Sequence, residues 1–186
     1  MKTLIFNGSP RKEGNTAYIV NKITEGIEGE FRIVDTYRCD ISPCVDCRYC
    51  KTNNGCAIND EMQEIYKYIE ECDNVLIASP IYFSEITGKL LDVGSRLQKY
   101  FCASYFRDEE PLPKPKRGAV VLVGGSDTDM NKAFGTSKIL LQQMNCTQIH
   151  EALCCRNTDT VAVADNTDVI TKIKNLIKFL NREDKK

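Results

Sequence analysis

Ser9, Arg11, Asn15 and Thr16 fall within one short stretch near the start of the chain, Asn7-Gly8-Ser9-Pro10-Arg11-Lys12-Glu13-Gly14-Asn15-Thr16. Short hydroxyl and amide donors beside a guanidinium suit an anionic ligand. The stretch follows an apolar run, Thr3 to Phe6, and precedes a helical pattern with Ile19, Val20, Ile23 and Ile27 on one face. A strand, a turn and a helix start are therefore predicted to meet here. Free N–H groups at a helix start, with the positive end of the macrodipole, favour a phosphate. The stretch is not a P-loop, because Asn15 follows Gly14 where a lysine is required. It is not a Gly-x-Gly-x-x-Gly dinucleotide fingerprint either, since Pro10 follows Ser9. An ordinary polar turn capped by Asn15 or Thr16 has the same composition, so on this stretch alone both readings stay open.

The second chemical set is Cys44, Cys47, Cys50 and Cys56, spaced Cys-x2-Cys-x2-Cys-x5-Cys. The chain has ten cysteines, and these four lie within thirteen residues. The start, Met1 to Phe6, is too short for a signal-peptide apolar region before the turn begins. A disulfide framework is thus less expected than metal or redox chemistry. Thiolates this close can wrap one compact cluster, and bacterial ferredoxins use Cys-x2-Cys-x2-Cys for three ligands of a cubane. Structural zinc sites more often hold two knuckles a dozen residues apart. A 4Fe–4S cluster therefore stands ahead of zinc, with an inert or disulfide-forming loop as the third alternative. Cys39 reads as a spare thiol. Cys72, Cys102 and Cys146 read as small buried hydrophobes, and the Cys154-Cys155 pair, at a strand end, as structural. The single histidine, His150, falls in a predicted strand and makes no case for a ligand or base.

The elements that must position these groups follow from hydrophobic periodicity. Strands are expected at Thr3 to Phe6, Phe31 to Thr36, Asn74 to Ser79, Gly118 to Val123 and Gln148 to Cys155. The third is apolar without alternation, as in a parallel strand covered on both faces. Helices are expected after the first turn, from Asp60 to Cys72 with Gln63 in a capping box, and through Ile86, Leu90, Val93, Leu97 and Phe101. Two more are expected at Asn131 to Met144 and Asp168 to Leu180, with a frayed tail at 182–186. The loop from Tyr37 to Asn59 has no predicted element, which is typical of functional loops. Pro111 to Arg117 reads as an extended connector. Alternating strands and helices imply a doubly wound, three-layer α/β fold with a five-stranded parallel sheet and right-handed crossovers. In strand order 2-1-3-4-5, the polar breaks after strands one, three and four share one rim.

The chain has 186 residues, which fits one domain over 1–186 with a cysteine-rich loop at 39–59. Its 25 basic and 26 acidic side chains give a net charge of −1, no footprint for nucleic acid or an anionic membrane. No apolar run approaches membrane-spanning length, and a cytoplasmic location is expected.

Asn7-Gly8-Ser9-Pro10-Arg11…Gly14-Asn15-Thr16, Ser79-Pro80-Ile81-Tyr82-Phe83 and Gly124-Gly125 together resemble the flavin-contacting loops of the NADPH-dependent FMN reductase family, which is flavodoxin-like. Pro43-Cys44-Val45-Asp46-Cys47-Arg48-Tyr49-Cys50…Cys56 resembles the compact cysteine motif of its iron–sulfur flavoprotein branch. The resemblance covers Met1 to about Ser126. It implies that Ser9, Arg11, Asn15 and Thr16 hold the FMN phosphate. It implies that Pro80, Ile81, Tyr82 and Phe83 lie along the isoalloxazine ring, with Gly124 and Gly125 on the same rim. Aromatic and proline surfaces suit a flat ring, and fixed amides can stabilise charge on a reduced flavin. Electrons would come from NADH, NADPH or a ferredoxin. A homodimer or homotetramer is implied. The family often carries Lys and Asp where this chain has Leu91 and Ser95, although Arg96 is kept. Two other readings share the scaffold: a carrier or redox sensor with no substrate of its own, and a zinc-stabilised interaction module. Lys114, Lys116 and Arg117 read as a solvated loop before a 2′-phosphate site.

Overall fold

The computed structural model describes residues 1–182; the predicted frayed tail lies outside them from 183 onward. Strands β1 (Lys2–Asn7), β2 (Glu30–Asp35), β3 (Asn74–Pro80), β4 (Lys116–Val123), β5 (Cys146–Ile149) and β6 (Leu153–Cys155) form one sheet. Its order is β2-β1-β3-β4-β5, with β6 also on β4, and every pairing is parallel. Helices α1 (Asn15–Gly26) and α7 (Thr167–Leu180) cover one face. The other face carries α3 (Met62–Glu71), α4 (Gly88–Ser95), α5 (Gln98–Arg107) and α6 (Asn131–Gln143). A one-turn helix α2 (Tyr49–Thr52) sits in the cysteine-rich loop.

Strand side chains explain the three layers. Leu4, Phe6, Val75, Ile77, Val120 and Leu122 face the larger helix layer, whereas Ile5, Leu76, Ala78, Ala119 and Val121 face α1 and α7. The central strands must be apolar at every position because both faces are covered. β2 is an edge strand and leaves Phe31 and Ile33 partly exposed.

Four departures from the sequence expectations have local causes. The fifth strand is two pieces, β5 at the start of β4 and β6 at its end. Pairing lapses from His150 to Ala152; the His150 N–H makes the last ladder bond of β5, to Gly118 O at 2.9 Å, and its ring tilts against Phe179. The long helix through Phe101 is likewise two, divided at Arg96, whose carbonyl accepts from Tyr66 Oη at 2.8 Å. Gln63 makes no capping box, because its side-chain amide donates instead to the carbonyls of Cys56 and Ile58. Lys116 and Arg117 belong to β4, and Lys116 is buried.

Candidate functional site

The loop after β1 is set by hydrogen bonds before any ligand is considered. Gly8 N–H donates to Ala78 O at 2.8 Å, and Thr87 Oγ1 donates to Gly8 O at 2.9 Å. A Cβ on Gly8 would lie 3.0 Å from both Leu90 and Thr87, so any larger residue would have to displace these side chains. Ser9 Oγ bonds both the N–H and the carbonyl of Arg11, closing a tight turn. Arg38 fixes the outer side, donating to Pro10 O at 2.8 Å while paired to Asp35 at 2.6 Å. The first bond of α1 runs from Tyr18 N–H to Gly14 O, and Gly14 supplies no side-chain cap. The N–H groups of Asn15, Thr16 and Ala17 in the first turn are thus left uncapped and point out of the helix start.

The neighbouring strand ends meet this loop. Ile81 N–H donates to Val123 O at 2.9 Å, and Gly124 N–H donates to Cys155 O at 2.8 Å, which knits the rim from β1 to β6. Between them opens a cleft of ≈ 260 Å³ lined by Ser9, Arg11, Asn15, Thr16, Pro80, Ile81, Tyr82 and Gly125. Eight of the ten sequence-predicted cofactor residues are therefore brought together. Gly124 lies just behind the wall, its N–H committed to Cys155. Phe83 projects into solvent at the tip of a turn in which both it and Ser84 have left-handed backbone (φ 54° and 60°).

Thr158 and Asp159 complete the lining and were missed from the sequence. Their N–H groups donate to Gly124 O and Gly125 O, and a Cβ on Gly125 would lie 2.4 Å from an Asp159 carboxylate oxygen. The available signal was the polar run Asn157 to Thr160 directly after the last strand. Asn15 links to the same region: its Oδ1 accepts from Val163 N–H at 3.1 Å.

Cys44, Cys47, Cys50 and Cys56 line one further pocket, formed between the cysteine-rich loop and α5. Among the described residues no three Cys, His, Asp or Glu side chains converge closely enough to hold a metal ion. Cys102 on α5 joins this lining, a placement not foreseen from sequence. Burial and the adjoining Cys102 push the Cys50 thiol up to about 11. Cys44 N–H donates to Ser95 Oγ at 2.9 Å, so the serine at the family-variant position anchors the loop. Cys72 and Cys146 are buried as expected, which raises them to about 11 and about 12.

Arg96 closes the cysteine pocket from below. It is buried, forms an ion pair with Asp60 at 2.6 Å, and donates to Ser42 O and Ile58 O. Burial opposes its charge, yet the Asp60 contact holds it above the ordinary guanidinium value. A larger cavity, ≈ 510 Å³, lies among Tyr100, Tyr105, Glu109, Pro111 and Gln142 on the α5–α6 side. It lacks the helix start and the basic side chain for an anion that the smaller rim cleft has.

Residues 1–158 match the family of NADPH-dependent FMN reductases. The chain belongs to that family. It is an FMN-dependent oxidoreductase. An iron–sulfur flavoprotein of Methanocaldococcus jannaschii is 30% identical over 91% of this chain and 83% of its own. An iron–sulfur flavoprotein of Methanosarcina thermophila is 29% identical over 68% of this chain and 64% of its own. An NAD(P)H:quinone oxidoreductase from Methanothermobacter marburgensis has the same fold, with a TM-score of 0.72 and 14% identity over 100% of this chain and 98% of its own. The order β2-β1-β3-β4-β5 puts the switch point between β1 and β3. In this chain the cleft of Ser9, Pro80 and Gly125 lies there. No helix among the described residues is long and apolar enough to cross a membrane.

Proposed function

We propose that the rim cleft binds FMN and that the protein passes electrons from NADH, NADPH or a ferredoxin through it to an acceptor. The observation carrying this reading is the meeting, in one cleft, of the uncapped first turn of α1 with the Pro80-Ile81-Tyr82 segment. The cradle fits the cofactor in kind: unpaired amides and Arg11 for a phosphate monoester, an apolar wall for a flat ring, and polar Thr158 and Asp159 at the opposite edge. Bound FMN supplies the hydride and electron chemistry. Ser9, Arg11, Asn15 and Thr16 then orient the phosphate, Pro80, Ile81 and Tyr82 flank the ring, and Gly125 lets the chain approach closely. Gly124 supports the wall. Phe83 stands at the mouth.

The cysteine pocket is proposed to hold a 4Fe–4S cluster on Cys44, Cys47, Cys50 and Cys56. Its chemistry fits: four thiols around one space, a buried Arg96 Nε–H with no acceptor, and Lys99 on the same wall. The thiols surround the space without converging, so metal must draw them inward. A cluster there would add a one-electron route beside the flavin. A single domain, a homodimer or homotetramer, and a cytoplasmic location complete the reading.

Anaerobic purification followed by flavin, iron, sulfide and zinc analysis tests both parts. Stoichiometric FMN that bleaches with NADH or NADPH, together with iron and sulfide, is expected. Protein that neither retains nor rebinds FMN would contradict the flavin site. Zinc without iron would replace the cluster by a structural metal.

A further inference from the structure

Arg96 is the one large cation whose side chain is fully buried among the described residues, and its donors can be counted. A guanidinium has five N–H groups. Nη1 donates to Ser42 O at 2.8 Å and Asp60 Oδ2 at 2.6 Å, and Nη2 donates to Ile58 O at 3.3 Å and Asp60 Oδ1 at 3.2 Å. Four donors are spent. The fifth, Nε–H, is buried without an acceptor. An unmet buried donor is unfavourable, and more so on a charged group. The residue lines the pocket of Cys44, Cys47, Cys50 and Cys56, whose sulfurs are candidate acceptors.

Where the other donors go adds a second observation. Ser42 precedes Cys44 by two positions, and Ile58 follows Cys56 by two. One side chain therefore staples both ends of the cysteine segment. Asp60 reinforces the closure by accepting from Ser42 N–H at 3.0 Å and Met62 N–H at 3.1 Å. The break between α4 and α5 puts Arg96 at this junction, outside either helix.

We infer that Arg96 is the positioning residue of the cysteine pocket, with its terminal nitrogens latching the loop and its Nε–H reserved for a sulfur acceptor of an iron–sulfur centre. This rests on the iron–sulfur reading above. A thiolate or bound sulfide satisfies the orphaned donor, and the guanidinium offsets part of the negative charge of the centre. Hydrogen bonds to sulfur shift a cluster's reduction potential, and residues that orient ligands typically change metal affinity 10–100-fold. Lys99 also lines the pocket, where burial lowers its pKa although Glu70 lies 3.8 Å away. Lysine at position 96 would keep the charge and lose the fork geometry.

The test uses full-length protein, purified anaerobically with FMN bound and ¹⁵N-labelled at arginine. Pulsed EPR of the reduced centre is expected to show a ¹⁵N hyperfine coupling. It should persist in Arg48→Lys and Arg107→Lys and vanish in Arg96→Lys. Arg96→Lys should also retain roughly tenfold less iron under chelator challenge and show a more negative cluster potential, with FMN content unchanged. Iron-loaded wild type lacking the coupling, or Arg96→Lys with wild-type iron retention and potential, overturns this inference alone. Wild type with FMN and no iron overturns the iron–sulfur reading and this inference together. The wild-type spectrum decides the matter even if Arg96→Lys does not fold.

Discussion

Asn15 Oδ1 accepts a 3.1 Å hydrogen bond from the backbone N–H of Val163, joining the first loop of the chain to the segment after its last strand. The side-chain oxygen thereby serves Val163, Asn15 also lines the cleft, and within its side chain only the amide NH2 can donate to a phosphate. Asn15→Ala should cost about 1 kcal/mol of stability and weaken FMN. Asn15→Asp keeps an acceptor for Val163 but brings a negative charge to the phosphate site. It should bind FMN more weakly than Asn15→Ala while unfolding closer to wild type, as read by flavin-fluorescence titration and thermal melts. Equal FMN affinities in the two variants would count against a phosphate at this position.

Arg11 is exposed at the cleft edge, and its proposed role concerns the phosphate alone. Arg11→Ala should lower FMN affinity about tenfold, the scale of one charge-assisted hydrogen bond. Riboflavin, which lacks the phosphate, should bind both proteins equally. Added salt should narrow the difference for FMN. Comparable losses for both flavins would assign Arg11 to the ring instead.

Phe83 and Ser84 form the centre of a turn closed by mutual backbone hydrogen bonds between Tyr82 and Glu85. Consecutive left-handed residues suit Asn-Gly, not Phe-Ser. Left-handed φ at a bulky residue costs on the order of 1 kcal/mol or more. The pair Phe83→Asn with Ser84→Gly should raise the melting temperature of apo protein by a few degrees. If the change also leaves FMN affinity intact, Phe83 is a rim residue and not part of the ring contact.

Asp60 is held below its ordinary carboxylate range. Burial works against its charge, but Arg96 and the N–H groups of Ser42 and Met62 more than offset this. A depressed folded value means the stabilisation is present above the unfolded carboxylate value, roughly pH 4, and is lost as pH falls through the folded one. Asp60→Asn should cost roughly 3 kcal/mol at neutral pH and flatten the acid limb of stability against pH. Urea denaturation between acidic and neutral pH measures both. Parallel wild-type and variant curves would show that the latch contributes nothing.

Most of the fold was legible because β1, β3 and β4 are apolar at successive positions, which only a doubly covered parallel sheet explains. The Ser9, Pro80 and Gly125 sides of the cleft were legible because each of those loops directly follows one of these strands. Arg96 was not. Ile86, Leu90, Val93, Leu97 and Phe101 keep helical spacing straight across the break, and no local pattern marks a guanidinium whose partners are 36 to 54 positions away. The lapse at His150 to Ala152 likewise divides the predicted strand Gln148 to Cys155 between two separate stretches of β4. Thr158 and Asp159 enter the site only through their bonds to Gly124 and Gly125, again across strands.

The most direct measurement is a titration of apo protein with FMN followed by backbone amide NMR. The account predicts saturable shifts at Asn15, Thr16, Ala17, Ile81, Tyr82, Gly125 and Thr158. Shifts confined to Tyr100, Tyr105, Glu109 and Gln142 around the larger cavity, with the first turn of α1 unmoved, would contradict it.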